Sequence, residues 1–339
     1  MTGGAGAAPD HGAAPTVSAV VPTRDRPELL RGALAAIDAQ EYPGRIETIV
    51  VYDRCAPDLS LERDDARRPV RVLRNAGTPG LAGARNTGIR AATGELVGFC
   101  DDDDEWLPGK LAAQVAALRA TGAEFACCGI RVRYDDREHD RVLPLERVPF
   151  AALLRDRLTE LHPSTFLVRR DALLGHGEPG GSAPDGAEPP GTGPDGIGPD
   201  GIGLVDERIP GSYAEDYEFL LRAARRKPLV NVPEPYALVR WHRRSYFTGR
   251  WETISAALEW LLARYPEFAT SPPGLARLTG QIAFARAAGG DRRAALHWAR
   301  RTLARNPREP RAYLALAVAG RVVPPDLLLR VLHRRGRGI

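Results

Sequence analysis

Phe99-Cys100-Asp101-Asp102-Asp103-Asp104-Glu105-Trp106 follows Glu95-Leu96-Val97-Gly98, an apolar run that reads as a buried strand. Four adjacent carboxylates at a strand end repel one another unless positive charge sits among them. A divalent cation carrying a nucleotide diphosphate would supply that charge, and such ions take hard oxygen ligands. The competing reading is a solvated acidic loop, and the flanking sequence separates the two.

Upstream, Val17-Ser18-Ala19-Val20-Val21-Pro22 reads as a buried parallel strand that Pro22 stops. Asp25-Arg26-Pro27-Glu28 opens a helix, with Leu29, Leu30, Ala33, Leu34 and Ile37 as its apolar stripe. Ile46 to Tyr52 is a second strand ending at Asp53, Val70 to Leu73 a third, and Gly83 to Ala92 a helix. This alternation predicts an α/β fold, a mostly parallel sheet flanked by helices. Such sheets bind ligands at the carboxyl ends of their strands, where Asp53 and Asp101 to Asp104 fall.

Downstream, the pattern predicts a helix over 110–121, strands over 125–134 and 165–168, and a helix over 211–226 that begins Tyr213-Ala214-Glu215-Asp216. Residues 176–203 are crowded with Gly, Pro and Asp and read as a flexible insertion. From Trp251 the pattern is helical, with breaks at Gly289-Gly290-Asp291 and Asn306-Pro307. It fits either a tetratricopeptide-like hairpin or a helical cap on the first domain. The expected divisions are a disordered leader at 1–15, an α/β domain at 16–250 and a helical region at 251–339.

Of the 339 residues, 43% are hydrophobic and 27% charged, as in soluble globular proteins. Lys110 and Lys227 are the only lysines. From Glu252 onward there are 15 arginines against six acids. That surplus suits peripheral contact with an anionic membrane surface, or a solvated helix face with biased codon usage. Cys55, Cys100, Cys127 and Cys128 form no C-x-x-C pair and read as reduced core thiols. The leader lacks a signal-peptide pattern, and no run of about 20 apolar residues predicts a membrane span. A cytoplasmic location is expected, with a peripheral position at the inner face of the membrane as its variant.

With these parts in order, the chain from about Val17 to about Phe247 resembles family-2 glycosyltransferases, which have the GT-A fold and usually invert the anomeric centre. The matching segments are 17–27, 50–53, Gly83 to Glu95, Phe99 to Leu111 and Tyr213 to Ala224. The resemblance implies that Pro22, Thr23 and Arg24 line the nucleotide and that Asp53 accepts from a uracil N–H. Tyr52 stands where the family often has a second acid. It further implies that Arg85 and Asn86 lie near base and phosphates, with a helix cap the other reading of Asn86. Asp101 would lean to the ribose and Asp102 fill the middle of D-x-D. Asp103 would ligate Mg²⁺ or Mn²⁺, and Asp104 would orient Asp103 or the acceptor.

An inverting transfer also needs a base to take the acceptor hydroxyl proton. The resemblance assigns Asp216, with Glu215 beside it on the acceptor side; two acids satisfying a helix dipole are the plainer reading. His242 would complete the metal shell or touch the diphosphate, with Arg243 and Arg244 adding charge, or it is structural. His162 would belong to an acceptor wall. Trp106 would stack on an acceptor sugar or pack in the core. The implied partners are a nucleotide-diphosphate sugar donor and a glycan, lipid-linked or small-molecule acceptor, with no nucleic acid. Two other functions compete: a non-catalytic nucleotide-sugar-binding or partner-recruiting module, and a nucleotidyltransferase. The latter usually has a Gly-rich loop after its first strand, and Pro22 to Pro27 holds no glycine.

Overall fold

The computed structural model describes residues 13–135, 137–175, 201–241, 249–325 and 327–328. Most of the expected leader and insertion, together with His242, Arg243 and Arg244, lie outside the described residues.

The strands are β1 (Val17–Thr23), β2 (Ile46–Tyr52), β3 (Val70–Arg74), β4 (Leu96–Phe99), β5 (Glu105–Trp106), β6 (Phe125–Tyr134), β7 (Arg137–Arg141), β8 (Arg147–Val148), β9 (Leu167–Arg169) and β10 (Leu229–Arg240). The helices are α1 (Pro27–Asp38), α2 (Leu81–Ala91), α3 (Lys110–Thr121), α4 (Phe150–Arg155), α5 (Arg170–Leu174), α6 (Glu215–Arg226), α7 (Trp251–Arg264), α8 (Pro272–Ala288), α9 (Arg292–Arg305) and α10 (Pro310–Ala319).

One sheet runs β3-β2-β1-β4-β9-β6-β10-β5, with β7 on β6 and β8 on β10. β1 to β4 pair in parallel, as do β6 and β10. β9 runs antiparallel to both β4 and β6, so the sheet is mixed at its centre. Pro22 does not stop the first strand, which continues to Thr23. The Val20 carbonyl accepts from Cys100 N–H, so Pro22, two residues on, faces the same side. There β4 pairing has ended at Val20–Phe99, and the missing donor costs no ladder bond.

Alternation along the strands feeds two cores. Val17, Ala19 and Val21 face Leu30, Ala33 and Ile37 of α1 and Leu111 and Val115 of α3. Val20, Val97, Phe99 and Phe166 face α2 and α6 on the other side. Each fully buried aliphatic side chain contributes roughly 1.5–3 kcal/mol. Leu258 and Leu261 of α7 and Leu278 and Ile282 of α8 join this second core, while α8, α9 and α10 share a further one of their own. At Gly274, α8 comes so close to α4 that a Cβ would sit 1.7 Å from the Leu154 carbonyl oxygen. The helical region is therefore packed onto the sheet domain through α7 and α8.

Candidate active site

The ends of β1, β2 and β4 and the start of α2 open onto one cleft of ≈ 460 Å³. Pro22, Thr23, Arg24, Asp53, Asp101, Asp102 and Asp103 all line it. Asp53 accepts from Asn75 Nδ2 at 2.8 Å and from Gly80 N–H at 3.1 Å, which ties the strand end to the loop entering α2. The first turn of α2 carries no acid and no side-chain cap. Such a helix start favours an anion, and Leu81 to Ala84 form part of the cleft wall.

The four acids after β4 share their partners in pairs, Asp102 and Asp103 on Arg26 and Asp101 and Asp104 on Ser164. Asp101 accepts from Arg85 Nη2 at 2.6 Å, and its N–H donates to Ser164 Oγ at 3.0 Å. Asp102 accepts from the Thr23 hydroxyl at 2.7 Å and from Arg26 at 3.3 Å. Burial, reinforced by Asp103, pushes its carboxyl up to about 6. Asp103 accepts from Arg26 Nη1 at 2.6 Å. Asp104 turns inward, accepting from Ser164 Oγ at 2.6 Å and from Arg240 N–H at 3.3 Å. Burial and the charges of Asp101 and Asp103 push its carboxyl well up.

Arg85 connects this run to the start of α6. Its Nη1 pairs with Glu215 while its Nη2 holds Asp101, and the side chain is 3% exposed. Asp216 is held by Arg157, whose Nη2 lies 2.9 Å from both carboxylate oxygens. Burial alone would raise Asp216, but the charge and hydrogen bond of Arg157 outweigh it and hold the carboxyl below its ordinary value. Burial pushes Glu215 the other way, up to about 7, with Asp216 and Asp101 adding to the rise against Arg85. Neighbouring carboxyls are thus split into one ionised group and one inclined to keep its proton. The chain enters α6 through left-handed backbone at Gly211, Ser212 and Ala214. The helix therefore begins at Glu215 rather than at 211, and two non-glycine residues carry strain beside the acids.

A cation fits the donor set. Asp101, Asp104 and His162 each offer one ligand atom, and these lie within 4.8 Å of one another. Burial depresses His162, which favours the neutral imidazole a metal requires. Two carboxylates and one imidazole suit Mn²⁺ better than Mg²⁺, which prefers oxygen alone. Asp103, the expected ligand, stands outside this trio and accepts from Arg26.

Residues 18–175 match the family model for glycosyl transferase family 2. The chain carries a family-2 glycosyltransferase domain. Two curated relatives are a Campylobacter jejuni GalNAc(5)-diNAcBac-PP-undecaprenol beta-1,3-glucosyltransferase and the Escherichia coli UDP-Glc:alpha-D-GlcNAc-diphosphoundecaprenol beta-1,3-glucosyltransferase WfgD. The first is 37% identical over 29% of this chain and 32% of its own length. The second is 29% identical over 32% of this chain and 43% of its own. The chain thus spans less than half of either relative. Among solved structures, S. aureus TarS 1–349 in complex with UDP-GlcNAc superposes with TM-score 0.54 at 18% identity, covering 95% of this chain and 92% of that one. The mannosyltransferase PcManGT from Pyrobaculum calidifontis, with GDP-Man and Mn²⁺, gives 0.53 at 20% identity over 96% and 81%. The fold of the glycosyltransferase domain is theirs, of the GT-A type.

Two expected site residues of that domain face elsewhere. Asn86 is buried, and its amide closes on Val205 N–H and carbonyl at 2.9 and 2.8 Å and on Glu207 at 2.7 Å. It clasps α2 to the segment before α6 and presents nothing to the cleft. Trp106 is a core residue: its indole N–H donates to the Phe99 carbonyl, and the Lys110 ammonium lies 4.1 Å from its ring. Asp104 orients Ser164 and His162 rather than Asp103. Arg26, Asn75, Arg157 and Glu207 were not singled out for the site. In a chain this rich in arginine, no spacing marks Arg26 or Arg157, whose partners lie 76 and 59 residues away.

Proposed function

We propose that this chain transfers a sugar from a nucleotide-diphosphate sugar to a hydroxyl acceptor with inversion, aided by a divalent cation. One observation carries this reading: Arg85 grips Asp101 with one nitrogen and Glu215 with the other, so the acid run and the acids of α6 share one site. A non-catalytic module has no need of that convergence.

The nucleotide lies between Pro22, Thr23, Arg24 and Asp53, with Asp101 toward the ribose. Asp53 at the base end supports a uridine donor, as does the relative named for UDP-Glc. Asp101, Asp104 and His162 would hold the cation. Its chemistry is Lewis-acid stabilisation of the departing diphosphate. Arg26 lies beside Asp102 and Asp103, where it can reach phosphate oxygens. Asp216, kept ionised by Arg157, takes the acceptor proton. Relatives named for undecaprenol-diphosphate-linked sugars support a lipid-linked acceptor. The catalytic unit is 16–250, and the helical region follows it, described from Trp251 to Ala319. No helix among the described residues is long and apolar enough to cross a membrane. α9 carries five arginines and no acid, a face suited to an anionic bilayer.

The test is nucleotide diphosphate release from a panel of nucleotide sugars with Mn²⁺. Asp216→Asn should keep donor binding and lose turnover; undiminished turnover rejects Asp216 as the base.

A further inference from the structure

Three consecutive residues of α6 are each held by a different element. Asp216 is held by Arg157, as described. The Tyr217 hydroxyl donates to the Leu153 carbonyl of α4 and accepts from Arg277 Nη2 of α8 at 2.8 Å. Glu218 Oε1 accepts from the Tyr265 hydroxyl, just past α7, at 2.7 Å. Arg277 also makes a looser ionic contact: its Nε, buried and without a hydrogen-bond partner, lies 3.7 Å from Oδ1 of the exposed Asp156. That same oxygen accepts the backbone N–H of Arg157 at 2.7 Å. Arg277 therefore stands behind both members of the Asp216–Arg157 pair, one residue after the first and one before the second.

The contacts to Tyr217 and Glu218 are buried, whereas Asp156 is exposed. Tyr217, Glu218 and Tyr265 are at most 1% exposed and Arg277 is 8% exposed. A buried arginine is a poor choice for packing alone, since an apolar side chain of similar volume often stabilises as well or better. The close approach at Gly274 presses α8 against α4, immediately before Arg157.

We propose that the helical region is a working part of the active site: Arg277 and Tyr265 are positioning residues that fix the carboxylate of Asp216 at the acceptor. The inference rests on Asp216 being the base. A carboxylate displaced by about 1 Å can cost 10²-fold in rate, while the donor cleft, lined by β1, β2 and α2, is untouched.

The experiment uses the full chain at saturating acceptor, with Arg277→Met, Arg277→Lys, Tyr265→Phe, Asp216→Asn and, as control, Arg286→Gln. Arg286 pairs with Glu259 of α7 and touches neither α6 nor Arg157. Expected are a 10- to 100-fold fall in kcat for Arg277→Met with donor KM within about twofold, recovery of most of that loss by Arg277→Lys, about a threefold fall for Tyr265→Phe, and no change in the control. If Arg277→Met does not fold, Tyr265→Phe and Arg277→Lys carry the comparison. Folded variants with wild-type kcat overturn the proposal, and so does a donor KM that rises in step with the fall in kcat. Turnover by Asp216→Asn sinks the base assignment alone, because the kcat of Arg277→Met still reports whether α8 positions α6.

Discussion

Replacing Arg85 by Met removes a cation shared by two acids. The side chains of Arg85 and Glu215 are 3% and 6% exposed, and that of Asp101 is 20% exposed. Breaking a buried pair from one side costs about 3–5 kcal/mol, because the remaining charge is left uncompensated. Glu215 has one escape, which is to protonate. Burial already pushes it up to about 7, and without Arg85 it rises further. A carboxyl whose folded pKa exceeds its unfolded value of about 4.3 destabilises the fold progressively as pH climbs past that unfolded value. Wild type and variant both hold the proton near pH 6, so the deficit should be smallest there and grow as pH passes about 7. Thermal unfolding followed by circular dichroism reads it directly. At about 2–4 °C per kcal/mol, Tm should fall by roughly 6–20 °C near pH 9 and by less than half of that near pH 6. A loss under about 1 kcal/mol at high pH, or one constant across the range, would show that Arg85 does not neutralise buried acids.

Arg157→Met leaves burial to govern Asp216, so the acid limb of the kcat–pH profile should move to higher pH; an unmoved limb separates Arg157 from the base. Asn75→Ala takes one donor from Asp53 and should weaken nucleotide binding about fivefold in titration calorimetry, where equal affinity would detach Asp53 from the donor. At Gly88 a Cβ would sit 2.3 Å from Val20 Cγ1, so Gly88→Ala should cost about 1–3 kcal/mol in urea unfolding. An unchanged midpoint would mean that α2 is not seated on β1 as described. Arg293, Arg300, Arg301 and Arg305 are exposed on α9, and neutralising all four should reduce partition onto anionic vesicles by about 1 kcal/mol each. Equal retention by vesicles of neutral lipid would rule out an electrostatic contact.

Much of the sheet is legible because its elements have local end signals. The helix over 110–121 is bounded by left-handed Gly109 and Gly122, and the strands over 46–52 and 125–134 carry apolar stretches at Ile49 to Tyr52 and Phe125 to Ile130. The strand expected over 165–168 forms instead at Leu167–Arg169, after a single turn at Pro163–Thr165. Its reversed direction is a tertiary matter, invisible to periodicity, because alternation is the same read either way. The acids of the site are conspicuous for a similar local reason: four in a row after a strand. Their cations are not, since Arg26 and Arg157 reach them only once the chain has folded back. Asn86 shows the opposite error. An amide in the second turn of a helix near a cleft has two plausible audiences, and here Val205 and Glu207 take it.

The reversed strand at the sheet centre also bears on synthesis. Among the described residues, this short strand bridges β4 to β6. A nascent chain that has emerged as far as Tyr134 owns two naked sheet edges pointing the same way and nothing to insert between them. Such edges recruit strands from other molecules. The ribosome-bound protein is therefore stickiest in mid-synthesis, and truncated products ending before Leu167 should be the ones that aggregate.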